Sequence, residues 1–282
     1  MPAIRTLSRI VFLAILPACT NLKEVADYSS AAAKNIRKFE ELPYGFSRAC
    51  RDKCFVDQLE KDEFLLGCDC RPSAEADSVT LLLYRVVRAY YDQLEKLSGD
   101  EATHYRYGPL LKAVQTGDFG GFLVSAEQAE AYSRIGNILT RALADGYRKK
   151  KLAEYIGDAD PHIRLLLETL RFNLLENLVQ RIETQRERLK NYYFDLFSDS
   201  LASAYEKKKT LEDYYAELSA IENKKKQIGA YAKALQSLAE GHRRLFEHRQ
   251  QLKAVELGRL LSGYIGDLRE IAAEIDHLKI QD

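Results

Sequence analysis

The sequence has no tryptophan, 6 prolines and 15 glycines in 282 residues. So few chain breakers exclude a many-stranded sheet, whose turns would demand more of both. The 42 Lys+Arg and 42 Asp+Glu cancel, whereas a nucleic-acid binder needs a concentrated positive field that this balance does not supply. Beyond the N-terminus there is no apolar run of 18 or more residues, the length that a membrane-spanning helix requires. The 5 histidines form no His-Glu-x-x-His, and neither Gly-x-Ser-x-Gly nor a Gly-Lys-Ser/Thr loop occurs, which leaves hydrolase and nucleotidase readings without support. Asp118-Phe119-Gly120 repeats the triplet with which kinases hold magnesium, but no glycine-rich phosphate loop or catalytic-loop motif accompanies it. What is present is 46% hydrophobic residues with an abundance of Leu, Ala, Glu, Lys and Arg, a choice that favours long helices. The sequence predicts an all-α protein.

At the N-terminus Arg5 and Arg9 accompany the short apolar run Ile10–Leu16, and Leu16-Pro17-Ala18 leads into Cys19. At about seven residues the run is too short for a bilayer, which takes roughly 20 helical residues, so residues 1–18 read as an export signal. Leu16-Pro17-Ala18-Cys19 resembles the lipobox of bacterial lipoproteins, with proline where a small residue such as Ser or Ala is more usual. The resemblance covers the first 19 residues. It implies cleavage before Cys19, a diacylglycerol on its thiol and a fatty acyl chain such as palmitate on its new amino group. Two or more chains give stable membrane anchoring where one is marginal. Lipoproteins with Asp after the cysteine are those typically kept at the inner membrane, so Thr20 implies sorting to the periplasmic face of an outer membrane.

The remaining cysteines, Cys50, Cys54, Cys68 and Cys70, fall in one short segment, and an even number in an exported chain points to two disulfides. Three connectivities are possible. A straight helix through this segment would hold Cys54 and Cys68 about 20 Å apart, far beyond the roughly 4.4–6.8 Å that a disulfide tolerates between Cα atoms. A turn near Glu60-Lys61-Asp62-Glu63 would make a helical hairpin over about 46–70 and favours the nested pairs Cys50–Cys70 and Cys54–Cys68. Cys50–Cys54 ranks lower because it leaves Cys68–Cys70 to close a very small ring. Zinc is a weaker use of the four thiols, since Cys-x3-Cys and Cys-x-Cys are not the usual knuckle spacings.

The pattern predicts a first helix over residues 21–42, ended by Pro43 and Gly45, and a strongly apolar one from Pro72-Ser73 to Gly99. Residues 116–121 are the most glycine-rich stretch and read as a long loop, with a boundary near 120 separating an N-terminal region, 19–120, from a long-helix region, 121–282. Ser125 with Gln128 is a capping box for a helix to about Tyr155. Asp158 to Pro161 reads as an interruption before a long helix from about His162, apolar on one face for some 35 residues. A third amphipathic stretch covers 201–240. Leu257, Leu261, Tyr264, Leu268, Ile271, Ile275 and Leu278 form a heptad seam, which suits either an intramolecular bundle or self-association as a coiled coil. Together these predict an elongated antiparallel bundle with long C-terminal helices and a small disulfide-stapled hairpin.

Glu101/His104 and Glu274/His277 each place a carboxylate and an imidazole three apart, as in di-iron bundles. They carry the alternative reading, a metal-binding bundle or an enzyme. Chance pairing explains them at this composition, and the expectation is no catalytic residue, no metal and no cofactor beyond the lipid on Cys19. Arg148–Lys151, Lys207–Lys209 and Lys224–Lys226 read as solvated helix faces interleaved with acids. The tyrosine pairs at 90–91, 192–193 and 214–215 suit either a contact surface or half-buried seam edges. The sequence as a whole predicts a membrane-anchored, non-enzymatic module that binds another envelope protein or acts as a spacer.

Overall fold

Buried Val25, Tyr28, Ser29, Ala32, Ala33, Ile36 and Phe39 recur at helical spacing and give α1, Lys23–Phe39, one face to hide. The same logic builds a computed structural model that describes residues 22–42, 44–61, 67–99, 117–119, 122–145 and 149–279. Its further helices are α2, Phe46–Lys61; α3, Arg71–Ser98; α4, Ala126–Ala144; α5, Leu152–Phe172; α6, Gln180–Ser198; α7, Ala204–Glu247; and α8, Val255–Lys279. A π-helical segment, Asn173–Val179, joins α5 to α6 without a break. The protein is an all-α bundle, and no described helix is long and apolar enough to cross a membrane.

α1 lies between α3 and α8, α7 packs on α5, α6 and α8, and α4 covers α3 and α5. The direction of each helix follows from its partners. The start of α1 meets the start of α8, with Glu24 against Gly258, and its end meets the end of α8, through Lys38 to Asp276 and Lys279 to Glu41. α7 runs the other way: the Tyr28 hydroxyl donates to the Leu238 carbonyl at 2.8 Å and the Tyr231 hydroxyl to the Lys38 carbonyl at 2.8 Å. The C-terminal seam is spent inside the chain. Leu257, Leu261, Ile265, Leu268, Ile275 and Leu278 are buried, and Asn35 of α1 and Gln227 of α7 donate to the Leu268 and Leu278 carbonyls of α8. Self-association through that seam would require α8 to exchange partners.

Three expectations about elements need correction. The interruption at Asp158–Pro161 is absent, because Pro161 sits inside α5. Its missing N–H and ring clash cost about 3 kcal/mol, but Leu152, Tyr155, Ile156 and Ala159 are buried in phase with Ile163, Leu166 and Leu167, which holds the helix through it. The helix begun at the capping box ends at Ala144 rather than Tyr155. The glycine-rich loop carries a two-stranded antiparallel ladder, Gly117–Phe119 with Phe122–Val124, in which Phe122 is buried against the Phe46 ring at 5.9 Å.

Candidate functional site

Both disulfides form with the nested pairing, Cys50–Cys70 with Cα atoms 5.8 Å apart and Cys54–Cys68 at 6.2 Å. Helix geometry explains it on one side, since Cys50 and Cys54 are four apart on α2 and share a face. On the other side the expected second helix is replaced by non-helical chain over residues 67–70. Residues two apart lie on opposite sides of a helix but on the same side of an extended strand. Here a tight turn centred on Asp69, in which the Cys70 N–H donates to the Cys68 carbonyl at 3.0 Å, takes the place of helix and lets both cysteines reach α2. Cys19, with Glu101 and His104, lies outside the described residues. Glu274 and His277 are both exposed on α8, where Glu274 faces Lys233 at 3.8 Å. Among the described residues no three His, Cys, Asp or Glu side chains gather as a metal site.

The stapled α2 walls two clefts. The first, of about 290 Å³, lies between α2, the end of α1, α3 and the π segment. The second, of about 330 Å³, lies between α2, α6 and α7, and Arg48 and Arg51 line both. Asp77 of α3 fixes the start of α2, accepting from the backbone N–H groups of Phe46 at 2.7 Å and Ser47 at 2.9 Å, a capping arrangement supplied from another helix. Gly45 makes room for it, since a Cβ there would lie 2.5 Å from the Asp77 carboxylate. Along the far side of α2, Arg188 binds Glu60 and Asp57, and Lys224 binds Asp52 at 3.2 Å.

A second polar group is sealed in the core. The Tyr90 hydroxyl lies 2.8 Å from His242 Nε2, His242 Nδ1 lies 3.3 Å from Asp160 Oδ1, and Arg164 holds the same carboxylate with three contacts of 2.7–3.0 Å. Burial pushes the His242 imidazole below its ordinary range, and the attraction of Asp160 does not outweigh it. For Asp160 burial pushes upward, but His242 and Arg164 together hold the carboxyl below its usual value. Hydroxyl, imidazole and carboxylate stand in the order of a nucleophilic triad. Yet His242 is wholly buried, and neither it nor Tyr90 lines any of the clefts described. The group ties α3, α5 and α7 together. Sequence reasoning missed it because its members are scattered over 152 residues.

The third feature is the far end of the α6–α7 hairpin. Past the last contacts with α2, this pair of helices runs on as an arm, and Phe194, Phe197, Leu201, Tyr205 and Tyr215 are exposed along its end, Leu201 at 90%. The turn is ordered. Asp199 accepts from the Leu201 N–H at 2.8 Å, and Ser203 and Glu206 form a reciprocal capping box at the start of α7. Two lysines of the arm pair with acids one turn on, Lys208 with Glu212 and Lys209 with Asp213, and Lys207 sits 5.8 Å over the Phe197 ring. Two of the three charges in the lysine run 207–209 are therefore compensated by neighbouring acids. Tyr193 and Tyr214 meet across the hairpin at 5.8 Å, while Tyr90 and Tyr91 are core.

Comparison with protein-family models, with curated proteins and with solved structures finds no match to this chain.

Proposed function

We propose that the protein is a lipid-anchored, non-enzymatic envelope module, held at its α1 end to the periplasmic face of an outer membrane, whose α6–α7 arm carries the contact surface for another envelope protein. The observation that carries the reading is the row of exposed aromatic and aliphatic side chains at the end of the arm, Phe194, Phe197, Leu201, Tyr205 and Tyr215. Large apolar side chains left exposed together at one end of a helical hairpin are the kind of surface that marks an interaction site. Tyr and Phe are also the types enriched at protein interfaces.

The arrangement of helices supports a spacer role as well. Cys19 precedes Leu22 by three residues, a chain reach of at most about 11 Å. A lipid there holds the start of α1 close to the membrane. Tyr28 of α1 is level with Leu238 of α7, and from Leu238 back to Ala204 an α-helix rises about 50 Å. The arm's tip thus points away from the anchored end, which suits reaching across the envelope better than lying on the membrane that bears the lipid. Asp195 and Asp199 at the tip fit a protein partner better than a bilayer, where each carboxylate would be costly.

The test is photocrosslinking in living cells, with a photoreactive residue at Leu201 and a control at Val255, an equally exposed position on the bundle. A discrete adduct from 201, none from 255, and release of Cys19→Ala protein from the membrane fraction are expected. Equal labelling from both positions, or membrane retention of the Cys19→Ala chain, would overturn the arm and the anchor respectively.

A further inference from the structure

Each helix of the arm carries one exposed apolar stripe. Phe194, Phe197 and Leu201 step by three and four along α6, and Leu211 and Tyr215 step by four along α7. The two stripes share one side of the hairpin. Tyr193 and Tyr214 face each other across it at 5.8 Å, and Phe194 and Tyr215 follow them by one residue, about 100° further around each helix. In antiparallel helices that equal rotation leads to the same side. Gln185 and Leu189 of α6, with Glu217 and Lys224 of α7, line the cleft against α2 on the opposite side. Among the described residues nothing covers the apolar face, and Phe194, Leu201 and Tyr215 are 66, 90 and 63% exposed.

Area, charge and register all match this face to a copy of itself. Its five side chains expose roughly 600 Å², at about 200 Å² for each when fully exposed. Two such faces together offer about 1,200 Å², the lower end of the range for specific protein interfaces. The lysines that fringe the face are paired within the copy, Lys190 with Glu187 at 3.9 Å and Lys208 with Glu212 at 3.4 Å. Two identical faces can therefore meet without like-charge repulsion. Four residues on from Tyr193 and four back from Tyr214, Phe197 stands level with Thr210, beside Leu211. A two-fold axis along the arm thus sets Phe197 of one copy against Leu211 of the other, and Leu211 against Phe197.

We infer, on the reading of the arm as a contact surface, that what it contacts is a second copy of this chain. The two hairpins close face to face into a four-helix bundle, α6 of each copy against α7 of the other. Every helix then has antiparallel neighbours, and both α1 ends lie on the same side, as two lipid anchors in one leaflet require. Confinement to that leaflet raises the effective concentration of a pair whose interface is modest.

The test is co-expression in living cells of two full-length copies with different epitope tags, each with a photoreactive residue at Leu201. Irradiation is expected to give an adduct of twice the chain mass that carries both tags. Phe197→Glu in both copies, or Leu211→Lys in both, places unpaired charges in the interface and is expected to reduce that adduct about tenfold. Both positions are exposed in the single chain, so the thermal melt stays that of the unaltered protein. With Phe197→Glu in one copy and Leu211→Lys in the other, the new charges meet across the interface and the adduct returns to within about threefold of its original level. An adduct with a single tag and a protein of different mass overturns the self-pairing and leaves the arm as a contact surface. No adduct, or labelling of lipid alone, overturns both. A two-tag adduct that neither substitution reduces, or that the mixed pair does not restore, overturns the pairing of α6 with α7 of the other copy.

Discussion

The two halves of α7 are one uninterrupted helix with opposite fates. From Ile221 to Leu245 it buries Ile228, Tyr231, Leu235, Leu238, His242 and Leu245 among helices on several sides, while from Ala204 to Ala220 no residue is buried. The distal half is not short of apolar residues, since Tyr205, Leu211, Tyr214 and Tyr215 lie on it. What it lacks, among the described residues, is a third helix to cover them. The proximal half is held by burial, and the distal half by its capping box, its i,i+4 ion pairs and the Tyr193–Tyr214 contact across the hairpin. Apolar content alone does not make a core; the neighbours do.

The comparison can be broken at several strengths. Replacing Cys50, Cys54, Cys68 and Cys70 with serine should cost most, about 4 kcal/mol for the two nested loops together, because the links restrict the unfolded chain over 20 and 14 residues. Urea unfolding with and without reductant measures it. The next effect lies on α7 itself. A Cβ at Gly241 would sit 2.6 Å from the Tyr28 ring, so Gly241→Ala displaces that ring and loses its bond to Leu238, for about 2 to 3 kcal/mol. Gly229→Ala, on the same helix with open space around it, should instead stabilise by about 0.5–1 kcal/mol. Equal signs for the two glycines would refute the packing described.

Acidification should weaken the proximal bundle through His242. Its folded imidazole titrates below the ordinary 6.5, so the unfolded chain takes up the proton first. The contribution of the neutral ring is complete above about pH 6.5 and is lost as pH falls below it. Asp160 adds a separate loss at lower pH: its folded value lies below the ordinary 3.8, so its share is present above 3.8 and disappears as pH falls through the folded value. His242→Gln should flatten the stability profile between about pH 7 and 5, and leave the lower-pH loss in place. The smallest change is expected on the arm. Leu201→Ser and Tyr205→Ser should shift unfolding by less than about 0.5 kcal/mol while removing the crosslinked adduct, so a large stability loss there would mean that the tip is covered within the chain.

Much of this was legible in the sequence where the signal is local. The Ser125/Gln128 capping box is present with both bonds, 3.2 and 2.9 Å, and the excessive separation of Cys54 and Cys68 in a straight helix, with a turn placed near Glu60–Glu63, led to the nested pairing. Ser203-Ala-Tyr-Glu206 carries the same type of local signature and would have located the start of α7. Gly146, two positions beyond Ala144, is a stop signal that the sequence reading passed over, while it placed the break at Pro161, a stronger breaker in isolation. The tertiary burial of Leu152 to Ala159 decided otherwise. The Tyr90–His242–Asp160 group and the cleft beside Tyr84 had no local signature, because each assembles side chains from helices far apart in the chain. The arm's exposure was equally hidden: its tyrosine pairs look the same in sequence whether a third helix covers them or not.

The two disulfides also set a time and a place. α2 buries no more than Phe46, Ala49 and Val56 of its own, yet it forms a wall of both clefts, and the links that clamp it form only where thiols are oxidised. A chain newly made in a reducing compartment has this helix loosely attached, whatever the state of the long bundle behind it. The shape of both clefts therefore depends on the oxidation state of four thiols that lie on one of their walls or next to it.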